Sequence, residues 1–208
     1  MIYRVDLPKK WDRDLAYFFG LLLGDGSLPI CNTKRPNGNY QKRHLIYFWS
    51  NSKDFLEQVY IPLFERLFGL TLRLERLKHK TNPFYVCRIE SKEIYLFLEK
   101  KGFTVGKKAK IAKIPKLPKK YHLFLLAGLL DTDGGKKGNG FGLSTASDHL
   151  AAFCENIFLK LKLPCNSCPW KYHNHIYHQV YVPGKSMGKI LKSIPIQNKD
   201  KISYLKSK

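Results

Sequence analysis

No apolar run in this chain reaches the about 20 residues that a bilayer-crossing helix needs. The opening segment, Met1-Ile2-Tyr3-Arg4-Val5-Asp6, lacks the apolar stretch of a signal peptide. Cysteine is sparse and odd in number, with five residues and no evident framework. A disulfide-stapled secreted scaffold is therefore excluded, and a reducing compartment fits better. Cys165 and Cys168, followed by His173, His175 and His178, do not make a zinc knuckle, because the loop between the pairs is too short and the stretch alternates like a strand. There are no low-complexity tracts. The expectation is a soluble intracellular protein, with no choice between a prokaryotic cytoplasm and an organelle.

Acids are the other scarcity. Only 16 Asp and Glu face 37 Lys and Arg, for a formal charge of +21. Such an excess works against compaction by self-repulsion, and its direct implication is a polyanionic partner, nucleic acid first among them. The hydrophobic fraction, 44%, suffices for an ordinary core. The 208 residues make one large domain or two small fused ones.

The sequence repeats itself. Leu15-Ala16-Tyr17-Phe18-Phe19-Gly20-Leu21-Leu22-Leu23-Gly24-Asp25-Gly26 is echoed by Leu123-Phe124-Leu125-Leu126-Ala127-Gly128-Leu129-Leu130-Asp131-Thr132-Asp133-Gly134. Gly20 and Gly128, Asp25 and Asp133, and Gly26 and Gly134 are each 108 residues apart. Asp54 opens an amphipathic run through Phe68, and Asp148 opens a matching one through Leu161; each acid favours the helix dipole at its N-terminus. Lys92 to Leu98 matches Lys185 to Leu191. The offset drops from 108 to 94 between the aspartates and the second helix, so the first half carries 14 extra residues. The polar stretch from Leu28 to His44 holds them and reads as a long hairpin loop.

Strand patterns fill the gaps: His44 to Ser50, Thr71 to Lys78 and Phe84 to Glu90 in the first half, and Gly140 to Thr145, Pro169 to His173 and Ile176 to Val182 in the second. The fold class is α+β, with two pseudo-symmetric αββαββα halves. Residues 1–106 form the first repeat, 107–120 a basic linker, and 121–208 the second repeat. Pro115 and Pro118 predict a short extended linker.

The repeated helices carry the chemistry. Ala16, Gly20 and Gly24 recur every four residues and form one stripe. Gly128 and Thr132 supply a matching stripe, although Phe124 replaces its first small residue. Two helices packed in parallel along these stripes bring Asp25 beside Asp133. Paired carboxylates repel unless a cation intervenes, and oxygen ligands favour Mg²⁺. The backbone carbonyls of Gly24 and Thr132 are candidate additional ligands. Asp followed by Gly is also an ordinary helix stop. An acid at a helix C-terminus opposes the dipole, however, and its double occurrence points to function.

Leu126-Ala127-Gly128-Leu129-Leu130-Asp131-Thr132-Asp133-Gly134 resembles the signature of the LAGLIDADG homing endonucleases, differing at two of nine positions. Phe18 to Gly26 is a looser copy. The resemblance spans both halves and is similar to the family's single-chain, two-repeat form. It implies a saddle of two four-stranded antiparallel sheets over the DNA major groove, with the motif helices packed at the centre. It implies that Asp25 and Asp133 bind a divalent metal, Mg²⁺ or Mn²⁺. Asp131 matches the motif's first acid, which is not the catalytic one, and Leu23 stands there in the first copy. Basic residues near the scissile phosphates are also implied, with Lys107, Lys199 and Lys136 as candidates. Leu28 occupies the place of Lys136 in the first half.

Base contacts are expected from strand faces: Arg73, Glu75, Arg76 and Lys78 in one ribbon, Arg88 and Glu90 in its partner, and Lys171, His173, Tyr177 and Gln179 in the second half. The implied activity is site-specific double-strand cleavage of a long asymmetric DNA target by a monomer of intron-encoded type, leaving short 3′ overhangs. An RNA-binding intron maturase on the same fold and a non-catalytic DNA-binding regulator are the alternatives. The regulator predicts loss of the acids. No membrane and no obligate protein partner are expected.

Overall fold

The computed structural model describes residues 5–77, 83–106, 108–173 and 175–207. Helix α1 (Arg13–Asp25) starts where the Asp12 side chain accepts from the Leu15 amide at 2.7 Å. Every residue from Leu15 to Leu23 is buried. Helix α6 (His122–Asp133) is likewise buried from Leu125 to Asp131. A helix apolar on all sides belongs inside the protein, and these two pack against each other at its centre.

In the first half, α1 leads into β1 (Gly26–Ser27), β2 (Ile30–Lys34) and β3 (Tyr40–Ser50). A continuous helical run follows: α2 (Lys53–Phe55), a π-helical turn over Leu56–Tyr60, and α3 (Ile61–Phe68). Then come β4 (Leu74–Arg76), β5 (Tyr85–Glu90) and α4 (Lys92–Lys100). The sheet order is β1-β3-β5-β4, all antiparallel, with β2 paired to the outer part of β3. The second half repeats the scheme: β6 (Gly135–Lys137), β7 (Gly140–Thr145), α7 (Asp148–Lys160), β8 (Asn166–Tyr172), β9 (His175–Val182), a short 3₁₀ turn and α8 (Gly188–Ser193). Its order is β6-β7-β9-β8. A final helix, α9 (Lys199–Lys206), is capped by the Asn198 side chain.

Two expectations need correction. The polar stretch 28–44 is not a long loop. Ile30 to Lys34 pairs with Tyr40 to His44, leaving only five residues in the turn. All of β2 is exposed, so it has no apolar period by which to recognise a strand. The linker is not wholly extended either: Lys108–Ile111 forms α5, which ends before Pro115.

The strand alternation of His44 to Ser50 holds. His44, Ile46, Phe48 and Ser50 are buried, while Tyr47 and Trp49 are half-exposed on the other face. The first-half core is aromatic, with the Phe48 and Tyr60 rings stacked at 3.9 Å and Phe18 beside Tyr60, Phe64 and Phe68. The second half is more aliphatic, built around Leu143, Leu150, Ile157, Val180 and Val182. The linker docks on the second half, where Ser147 Oγ donates to the Ala112 carbonyl at 2.6 Å and Lys110 Nζ lies 2.7 Å from His175 Nδ1. Among the described residues no helix is long and apolar enough to cross a membrane.

Candidate active site

The crossing of α1 and α6 is a backbone contact. A β-carbon built on Gly20 would stand 2.9 Å from the Leu129 amide nitrogen and would run into the Leu125 carbonyl oxygen. One on Gly128 would stand 2.8 Å from the Leu21 nitrogen and 3.1 Å from the Gly20 carbonyl carbon. No side chain fits between the helices at this level, so the glycine pair sets their separation. Ala16, fully buried, continues the stripe on one side. One turn towards the C-terminus, a β-carbon on Gly24 would meet Thr132 Cβ at 2.6 Å and Asp133 Cγ at 3.4 Å. The carboxyl of Asp133 thus lies against the last turn of α1, the turn that ends in Asp25. Both acids are partly exposed, although the helices that carry them are buried.

Gly26 and Gly134 end the two helices in the same way. Both have extended backbone at negative φ, and both amides return to the fourth residue back, Leu22 and Leu130. A left-handed helix stop is therefore not the reason for glycine. A β-carbon would strike the preceding turn instead, 2.7 Å from Leu22 Cα in one case and 3.0 Å from Leu130 Cα in the other.

Asp131 is the unexpected member of the group. Its carboxylate is 1% exposed and accepts from the Tyr17 hydroxyl at 2.5 Å, the Gln197 amide at 2.8 Å and the Asn198 amide at 3.1 Å. Asn198 Nδ2 donates back to the Asp131 carbonyl at 3.0 Å. Burial pushes the Asp131 carboxyl up to about 6 even though these donors favour its charged form. The same burial, with the charge of Asp131, pushes the Tyr17 hydroxyl up. Asp131 is thus a hub between α1, α6 and the start of α9.

This hub positions Lys201. On the first turn of α9, its Nζ donates to the Gly134 carbonyl. Burial lowers its pKa, while Asp25 foremost, then Asp131, Asp133 and Asp200, favour the charged ammonium. Lys201 is a basic group near both motif acids, and the sequence reading missed it. The signal was available: an offset of 93 relates Cys87 to Val180 across the two sheets and buried Ala112 to buried Leu205, and it relates Lys108 to Lys201.

Of the three lysines singled out from sequence, Lys199 lies exposed at the start of α9 and lines a different recess with Ser52, Asp54 and Gln58. Lys136 lines a cavity of 240 Å³ together with Asn51, Asn198, Lys201 and Tyr204. Lys107 lies outside the described residues, as does Lys78. Leu28 and Ala146 stand where the symmetry would put counterparts of Lys136 and Asn51, so the two ends of the site are chemically unequal. Among the described residues no group of three or more His, Cys, Asp or Glu gathers as a metal cluster. The donor set on offer is the two carboxylates with neighbouring backbone oxygens. It suits a hard cation that also takes oxygens from water and substrate.

Cross-strand neighbours share a face, and this sorts the strand residues. Arg88 pairs with Tyr47, and Glu90 with Leu45, on the face away from the helices. Glu75 joins them opposite Val86, whereas Arg76 pairs with Tyr85 and points to the other side. Arg73 is exposed just before β4. In the second sheet Tyr177 and Gln179 share the open face with Trp170 and Cys168. Lys171 pairs with Ile176 on the opposite face, and His173 sits in the β8–β9 turn at positive φ. Arg76 and Lys171 therefore leave the expected set, because side chains alternate along a strand and the sequence ribbons counted neighbours of both parities together.

Residues 12–102 match the model of the LAGLIDADG-like domain family. No curated protein matches the sequence. Among solved structures, the chain is similar to I-DmoI in complex with DNA and Ca, at 15% identity and a TM-score of 0.63, with 88% of each chain covered. It is also similar to I-DmoI in complex with DNA and Mn, at 17% identity and a TM-score of 0.61, covering 88% of this chain and 96% of that one. Meganuclease I-SmaMI bound to uncleavable DNA matches at 14% identity and a TM-score of 0.58, over 94% of this chain and 87% of the other. At such identities the likeness is one of fold, and it runs through both halves. A LAGLIDADG-like domain thus occupies the first half of the chain, a second copy of the motif lies on α6, and the fold of the two halves together is that of I-DmoI.

Proposed function

We propose that this protein is a site-specific DNA endonuclease that hydrolyses both strands of a long asymmetric duplex. The observation that carries the reading is the pair of helix-terminal acids, Asp25 and Asp133, held together by a glycine-to-glycine helix crossing with Lys201 beside them. The DNA and metal in the solved I-DmoI complexes support the same reading.

In this reading residues 1–106 and 121–208 are the two repeats, joined by 107–120. Asp25 and Asp133, with the carbonyls of Gly24 and Thr132, would hold Mg²⁺ or Mn²⁺. When bound, such an ion supplies Lewis acidity at the phosphoryl group. Lys201 places an ammonium where negative charge develops on the phosphate. Lys136 reinforces one end of the site. Arg73, Glu75, Arg88, Glu90, Tyr177 and Gln179 meet base edges from the open sheet faces. The basic surface supplies phosphate contacts. The repeat furnishes its own twofold, so one chain serves one duplex, and the break leaves short 3′ overhangs.

The test is cleavage and binding by Asp25→Asn and Asp133→Asn on duplexes selected from a random library. Either substitution should reduce double-strand cleavage by at least a hundredfold, while binding stays within a fewfold, because phosphate contacts survive the loss of a metal ligand. Wild-type cleavage by either variant would overturn the site. Duplex binding without cleavage by the unmodified chain would leave a DNA-binding regulator.

A further inference from the structure

The two open sheet faces differ in chemistry. The first carries charge: Arg43 pairs with Glu90 at 2.7 Å, Arg88 pairs with Glu75 at 3.1 Å, and Arg73 is exposed nearby. Cross-strand pairing defines the second face: Asn166 opposite Tyr181, Cys168 opposite Gln179, Trp170 opposite Tyr177, and Tyr172 opposite His175. Over β8 and β9 this face holds no Lys, Arg, Asp or Glu, and its charged residue in the remaining strands is Lys137 of β6, opposite Gly140. The one lysine of β8, Lys171, is on the other side.

We propose that the two faces divide the DNA target by base composition. The first sheet reads a half-site bearing G·C pairs, and the second reads an A·T-rich half-site. The proposal rests on the reading of this protein as a DNA endonuclease.

The physical reason is the donor and acceptor code of the major groove. Guanine offers two acceptors that match an arginine fork, and cytosine offers an amino donor that matches a carboxylate. Arg43, Arg73 and Arg88, with Glu75 and Glu90, present that set. The exposed ion pairs leave most guanidinium donors unused, since an arginine has five. Adenine offers a neighbouring donor and acceptor that match an amide side chain, and thymine offers a methyl group that apolar surface can cover. Asn166 and Gln179, beside Trp170, Tyr177 and Tyr172, present that second set.

A further observation concerns the exposure of the second face. Strand β8 is the edge of its sheet and is exposed over its whole length, with Trp170 and Tyr172 at 39% and 60% exposure. Edge strands left to solvent normally carry charge on their faces as protection against association, and β8 carries none on this one. In a chain of charge +21 that omission is local, and it fits a surface that lies on bases while neighbouring lysines hold the phosphates.

The experiment is selection of a randomised duplex library by the full-length chain in EDTA, where binding proceeds without cleavage. The expected consensus has one flank with fixed G·C positions and one flank rich in A·T. Arg88→Ala should relax at least one G·C position by roughly tenfold and leave the other flank unchanged. Gln179→Ala and Trp170→Ala should relax only the A·T flank. Melting curves confirm that each variant is folded. Flanks of equal composition, or variants acting on the opposite flank, would overturn the division while leaving the endonuclease reading intact. Retention of RNA but no duplex would overturn both.

Discussion

Adding one methyl group at Gly20 tests the central contact directly. In an exposed helix, Gly→Ala stabilises by up to about 1 kcal/mol. Here the new β-carbon falls 2.9 Å from the Leu129 nitrogen and 3.0 Å from the Leu125 carbonyl carbon. Carbon contacts are comfortable at about 3.5–4.0 Å, and the Leu125 carbonyl oxygen stands closer still, so the helices must part by about 1 Å or more. Both obstacles are backbone, and no rotamer change relieves them. Overpacking costs about 1–3 kcal/mol where side chains can yield, and a rigid site belongs at the upper end. Set against the propensity gain, Gly20→Ala should destabilise by about 2 kcal/mol. For a chain of this size that lowers Tm by about 4–8 °C. Gly128→Ala, whose β-carbon meets Tyr17 and Leu21 backbone, should behave alike. The assay is thermal unfolding followed by circular dichroism, paired with cleavage rates well below Tm. Cleavage should fall more than stability alone explains, because parting the helices also separates Asp25 from Asp133. A Gly20→Ala protein as stable as the parent or more so would refute the backbone crossing.

Lys201→Met should slow cleavage by roughly a hundredfold or more with little change in duplex affinity, whereas Lys199→Met should have little effect on the rate; single-turnover kinetics distinguish them. Asp131, its carboxyl raised by burial, binds its proton more tightly in the folded chain than in the unfolded one, so its contribution favours folding below about pH 4 and is lost as pH rises towards about 6. The stability of the parent relative to Asp131→Asn should therefore fall across that window, measured by urea unfolding at each pH. Tyr17→Phe removes one donor from the buried Asp131 carboxylate and should cost about 1–3 kcal/mol by the same assay. Light scattering should find one chain per duplex, and activity that requires a dimer of chains would contradict this.

The duplicated helices were legible because their apolar residues fill every face and their small residues recur at helical spacing. That pattern carries the crossing at Gly20 and Gly128 without any knowledge of the sheets. Strand faces were less legible. Arg76 and Lys171 sit one residue from face-mates, and parity is set by pairing partners that lie far away in sequence. Strand β2 escaped notice since no core side chain marks it. Lys201 was missed for a related reason. In a chain of 37 basic residues, the position of a lysine is decided by what buries it, and that is Asp131, 70 residues upstream. Asp131 had been set aside as the lesser acid of its motif, yet it is the residue that fixes the start of α9.

Because Asp131 is satisfied largely by the Gln197 and Asn198 backbone amides, the segment from Gln197 through α9 acts as an internal plug. Helix α9 looks expendable, being short, terminal and largely polar on its outer side. Ending the chain at Ile196 would nevertheless leave a carboxylate deep between α1 and α6 with only the Tyr17 hydroxyl to meet it. Water would have to enter the helix pair to hydrate it, or the proton would have to stay on at neutral pH. A trimmed protein would thus carry its damage at the centre, although the cut is made at the rim.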